Sequence, residues 1–150
     1  MKKSAIVIVV ILMLLALNSC EKSVYYAQEL LELNISPAMG NVSVRVDARR
    51  GLKKEGTLKA IIDIPYGLDT VIADDPRWKP FPLDETTEKL INKEFRELGK
   101  FIPPTREGYY ILLDYYAADG KNILQRDAYS FVFAVYEPYS KTLYYSEVNQ

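Results

Sequence analysis

The run Tyr109-Tyr110-Ile111-Leu112-Leu113-Asp114-Tyr115-Tyr116 is followed by Asp119-Gly120 and then by Tyr129-Ser130-Phe131-Val132-Phe133-Ala134-Val135. Aromatic and aliphatic residues dominate both runs, the composition of strands with buried faces. Successive side chains of a strand point to opposite sides, so Tyr109, Ile111, Leu113 and Tyr115 share one face and Tyr110, Leu112, Asp114 and Tyr116 the other. Asp-Gly between two such runs predicts a two-residue type I′ hairpin, in which both central residues need positive φ. Antiparallel β structure follows.

Downstream, Glu137-Pro138 interrupts the return strand, and a last strand is expected over residues 142–148. Upstream lies a helix near residues 85–98, with Asp84 as N-cap and Glu85 in the first turn. Thr87, Leu90, Ile91, Phe95 and Leu98 fall on one face of it, and Gly99 closes it before Pro103-Pro104. Residues 66–83 read as a long, polar, proline-rich connection. Before it, Leu58, Ala60, Ile62 and Ile64 keep a period of two until Pro65 and Gly67 end the strand. Val42, Val44, Val46 and Ala48 alternate with polar residues in the same way, and Leu31, Leu33 and Ile35 precede them across the turn Pro37-Ala38-Met39-Gly40. Ala27, Gln28, Glu29 and Leu30 leave a short helix over residues 24–33 as the competing assignment.

Gly108-Tyr109-Tyr110, running through Asp119-Gly120 to Tyr129-Ser130-Phe131, resembles the final hairpin of immunoglobulin-like and fibronectin-III-like sandwiches. The resemblance implies a tyrosine corner near the start of the penultimate strand. The expected fold is therefore mainly β, an antiparallel two-layer sandwich of immunoglobulin-like type with one inserted helix. The alternative is an α+β fold with helices packed on one antiparallel sheet.

At the other end of the chain, Lys2 and Lys3 precede an apolar run from Ala5 to Leu17. That run suits a signal peptide and is shorter than the ~20 residues needed to span a bilayer. Leu17-Asn18-Ser19-Cys20 after it resembles the lipobox of bacterial lipoproteins. The resemblance implies cleavage before Cys20 and attachment of a diacylglycerol to its thiol. Cys20 is the only cysteine, so it has no partner within the chain for a disulfide. Residues 1–19 are then a signal peptide, 20–23 a lipidated N-terminus with a short tether, and 24–150 a single β-rich domain. The expected location is the bacterial cell envelope, on the periplasmic or cell-surface side, with the membrane engaged through the lipid anchor.

The 150 residues contain no histidine, which excludes imidazole metal sites and both Ser-His-Asp and Cys-His nucleophile systems. The seven glycines form neither GxGxxG nor a P-loop, and no cofactor is expected. Without thiolate or imidazole ligands in the domain, only oxygen ligands remain. Asp69, Asp74 and Asp75 are the one acidic group on a loop; they read as solvated, and no metal is assigned. Loss of Lys2 and Lys3 with the leader turns 19 basic residues into 17 against 20 acidic ones, a net charge of −3. Such a domain has no global field for nucleic acid, and Arg49, Arg50, Lys53 and Lys54 read as a solvated loop tip.

These features describe a non-catalytic binding or scaffolding module that contacts an envelope protein or glycan. Nine of the twelve tyrosines lie at or after Tyr109, and one member of each adjacent pair is free to face outward. The competing reading is a small carboxylate-dependent hydrolase acting on cell-wall glycan, whose two acids would stand ~5–10 Å apart. The binding surface is assigned to residues 66–82: Tyr66, Arg77, Trp78 and Phe81, the last held between Pro80 and Pro82. The competing role for Trp78 and Phe81 is to fold back over a sheet.

Overall fold

The computed structural model describes residues 31, 33, 41–51, 55–64, 68–95 and 107–150. Cys20 and its leader, the turn at 37–40, Lys53, Lys54, Tyr66, Leu98 and Gly99 lie outside the described residues, as does most of 24–36. Among the described residues there are six strands: β1 (Asn41–Asp47), β2 (Gly56–Asp63), β3 (Lys79–Pro80), β4 (Tyr109–Asp114), β5 (Phe131–Glu137) and β6 (Thr142–Asn149). They form one antiparallel sheet in the order β1-β2-β6-β5-β4-β3. Among the described residues two helices have both ends given, α1 (Asp69–Asp74) and α2 (Glu85–Phe95), and Leu31 is helical as well. Among the described residues no helix is long and apolar enough to cross a membrane.

The chain is mainly β and antiparallel, as its alternating runs predict. Its strands lie in one open, sandwich-like sheet with few helices, and residues from helices and loops pack against both faces. The cause lies in β5, which is apolar and buried on both faces and so needs cover on both sides. Phe131, Phe133 and Val135 pack in one cluster with Leu90, Ile91 and Phe95 of α2. Val132, Ala134 and Tyr136 pack in the other with Ile72 of α1, Trp78, Leu31 and Leu33, beside Leu58, Ala60 and Ile62 of β2 and Leu143 and Tyr145 of β6.

The start of α2 follows the sequence. The Asp84 side chain accepts a hydrogen bond from the Thr87 amide at 2.8 Å, and the Glu88 amide donates to the Asp84 carbonyl at 2.9 Å. The connection 66–83 departs from it, because it contains α1 and β3. Leu68 and Ile72, four residues apart, are both buried and nucleate α1, with the Ile72 amide donating to the Leu68 carbonyl at 2.8 Å.

The Asp119-Gly120 hairpin is also corrected. β4 ends at Asp114, and two 3₁₀ turns, Ala117–Asp119 and Ile123–Gln125, fill the link to β5. Only Gly120 of the pair has positive φ, at 71°. Arg126 outweighs the turn preference. Its guanidinium donates to both oxygens of Asp114 at 2.7 and 2.6 Å, to Asp119 at 2.6 and 3.1 Å, and to the carbonyls of Tyr116 and Lys121 at 2.9 Å each. The tight connection is instead the turn at 138–141 between β5 and β6, where Lys141 takes φ 53°.

The tyrosine pairs do not divide into core and outward members. Tyr110 and Tyr145 are buried, Tyr109 and Tyr144 half-buried, and Tyr115 and Tyr116 leave the strand and are both exposed. No residue of β2, β4, β5 or β6 is exposed, and exposed strand residues are confined to the edge strands, such as Val46 of β1 and Lys79 of β3.

Candidate binding groove

Three segments far apart in sequence meet at one end of the sheet. β3 brings Pro80 and Phe81, the start of β4 brings Glu107, Gly108 and Tyr109, and the end of β5 brings Glu137, Pro138 and Tyr139. Together they line an open groove of about 500 Å³. The Phe81 amide donates to the Gly108 carbonyl at 3.1 Å, which ties the first segment to the second. Gly108 has φ +112°, and a Cβ placed there would lie 2.2 Å from the Tyr136 carbonyl oxygen. Only glycine lets the entry to β4 lie this close to β5.

The walls are aromatic. Phe81 is half-buried and meets Tyr110 edge to face, with ring centroids 5.6 Å apart. Tyr109 is half-buried, and Tyr139 is 99% exposed on the turn. Glu137 accepts a hydrogen bond from the Ser140 hydroxyl at 2.7 Å, which fixes one oxygen of its carboxylate.

A second depression lies next to it, lined by Arg77, Lys79, Asp84, Thr87, Tyr110 and Leu112. Asp84 is its centre. Burial raises the Asp84 pKa, yet hydrogen bonds from the Thr87 amide, Lys79, the Thr87 hydroxyl and Tyr110 outweigh burial and hold the carboxyl well below the usual range. Lys79 Nζ stands 3.0 Å from Asp84 Oδ2, and the Tyr110 hydroxyl donates to the same oxygen at 3.1 Å while accepting from the Asp84 amide at 3.0 Å. Asp84 therefore remains a carboxylate at neutral pH. It caps a helix and fixes a phenol, and it has no proton to give. Tyr110 thus reaches the start of α2, where the sandwich resemblance implies a corner to nearby backbone.

The residues expected to bind are placed differently from one another. Phe81 lines the groove. Arg77 lies in the second depression, its Nη2 2.6 Å from Asp75 and 3.2 Å from the Leu31 carbonyl. Trp78 is 5% exposed and packs in the cluster beneath Ile72 and Leu31, so the competing role as cover for the sheet describes it and the outward role does not. Tyr66 lies outside the described residues. Asp75 is turned onto Arg77, whose hydrogen bond lowers its pKa, and among the described residues no three acidic side chains gather as a metal site.

Tyr139, Glu137, Glu107 and Gly108 were not assigned to a binding surface by sequence, and Tyr109 entered it only as one of the paired tyrosines. Their signals are faint but present: Glu137-Pro138-Tyr139 sets an aromatic in a turn, where no strand buries it, and Gly108 stands directly before a strand of large residues. No protein-family model, no curated protein and no solved structure matches the chain.

Proposed function

We propose that this chain is a non-catalytic, lipid-anchored binding module of the bacterial cell envelope, and that the sheet-end groove is its contact surface. The observation that carries the reading is Tyr139, a large amphipathic ring left 99% exposed on the lip of a preformed groove. Isolated exposed apolar residues are ordinary, but a bare ring grouped with Phe81, Tyr109 and two prolines has the composition of an interface centre. The prolines hold the walls before a partner arrives, which lowers the ordering cost of binding. The sequence Leu17-Asn18-Ser19-Cys20 supports the anchor, and an envelope protein or glycan is the partner class.

Two experiments test the two halves. Cys20→Ala is expected to abolish incorporation of labelled fatty acid and release the chain from the membrane fraction; label that persists in the variant removes the anchor. A photo-cross-linking amino acid at Tyr139, in cells, is expected to give discrete adducts in the envelope, whereas the same probe at exposed Val71 on α1 gives none. Equal adduct patterns at both positions, or none at either, would contradict the module. Hydrolysis of purified cell-wall glycan that Glu137→Gln abolishes would favour the hydrolase instead.

A further inference from the structure

Resting on that reading, the chemistry of the lining identifies what the groove holds. Among its described lining residues there are two carboxylates, Glu107 and Glu137, and no cationic side chain; Glu107 already has a partner of its own, so Glu137 is the acid the groove offers a ligand. Of the basic groups near it, Lys79 is held by Asp84 at 3.0 Å and Arg77 by Asp75 at 2.6 Å, while Lys141, exposed on the same turn as Tyr139, does not line the groove. The remaining walls are the rings of Phe81, Tyr109 and Tyr139. An aromatic face carries the negative part of its quadrupole, so rings and carboxylates attract the same kind of ligand. A neutral sugar could stack on the rings and donate a hydroxyl to Glu137, but it would leave the negative charge of that carboxylate uncompensated. A lysine or arginine matches both features, because its aliphatic stem lies along rings and prolines while its charged head reaches Glu137.

We propose that the groove binds a lysine or arginine side chain displayed on an exposed segment of a partner protein. Glu137 is the anchoring acid, since the Ser140 hydroxyl already holds its Oε2 at 2.7 Å and leaves the other oxygen to accept from the ligand. Tyr139 is the ring that closes over the stem. Its exposure in the free protein means that this contact forms only with a ligand in place.

The test uses the full chain in detergent micelles at about 0.15 M salt, where diffuse surface attraction is screened. The probes are fluorescent peptides of repeating Lys-Gly-Ser, Arg-Gly-Ser and Gln-Gly-Ser, together with an N-acetylglucosamine oligomer. The lysine and arginine peptides are expected to bind at least about tenfold more tightly than the glutamine peptide. Tyr139→Ala and Glu137→Gln should each weaken the lysine peptide about threefold to fivefold. Asp127→Asn, an exposed acid in the link before β5 at the opposite end of the sheet, should change it less than about twofold. Equal weakening by Asp127→Asn would reduce the effect to net charge and overturn the inference. Tyr139-dependent binding of the sugar oligomer in preference to the peptides would overturn it while leaving the binding module standing. Loss of the Tyr139 cross-links in cells would remove the module itself, whatever the peptides do.

Discussion

Trp78 and Lys59 are opposite cases of burial. The indole of Trp78 closes the cluster of Leu31, Leu33, Ile72 and β5, and emptying its site should be costly. Trp78→Ala is expected to destabilise the protein by about 3–5 kcal/mol in chemical denaturation, while Tyr139-dependent cross-linking in the surviving folded fraction is retained. A loss below about 1 kcal/mol would mean that the ring is not in the core. Lys59 is 2% exposed on β2, with its ammonium 4.1 Å from the centroid of the Phe95 ring. Burial lowers its pKa from 10.5 to about 8. Between those values the folded state binds fewer protons than the unfolded chain, so this residue makes stability rise with pH, with its full cost present below pH 8. Lys59→Met should therefore be more stable than the parent at pH 7, by about 2 kcal/mol, and lose that advantage as pH approaches 10.5. Urea unfolding of both proteins at several pH values checks this. The tyrosines that burial raises, such as Tyr136 to about 12, are common to both and cancel.

Elements were legible where a periodic pattern ran long enough to outvote local preferences. The alternation in β2, β4, β5 and β6 and the Asp84 cap of α2 were read correctly because each is written in adjacent residues. Replacing the cap, Asp84→Ala, should cost about 1–2 kcal/mol at pH 7. Because the folded pKa of Asp84 is depressed, its contribution is complete above about pH 4 and fades as pH falls below the ordinary carboxylate range, so parent and variant should converge in acid. α1 and β3 were missed since six and two residues are too few to show a period, and they form because Ile72 and Trp78 have a core to enter. The Asp119-Gly120 pair misled because a turn preference of a few tenths of a kcal/mol competes with a guanidinium that gathers two carboxylates and two carbonyls. Arg126→Ala should lower Tm by roughly 5 °C or more and raise amide exchange in residues 115–128, with β5 and β6 protected as before.

For the whole molecule, the burial of both sheet faces explains a tyrosine content that first suggested an open binding face. Rings such as Tyr110, Tyr136 and Tyr145 are the cover and filling of a sheet with helices and loops on both sides. The groove was hidden from sequence for a related reason: its lining comes from positions 80–81, 107–109 and 137–139, which only the β3-β4-β5 order brings together. Gly108 sits where those strands converge. Gly108→Ala should cost at least about 2 kcal/mol and splay the start of β4 from β5, detected as lost protection at both strands. The floor of the groove is thus the same backbone that seals the sheet. Mutational drift has little freedom there, and must work through the rim at Phe81, Glu107, Glu137 and Tyr139. Variants of this chain should diversify in charge and ring size around a glycine that does not change.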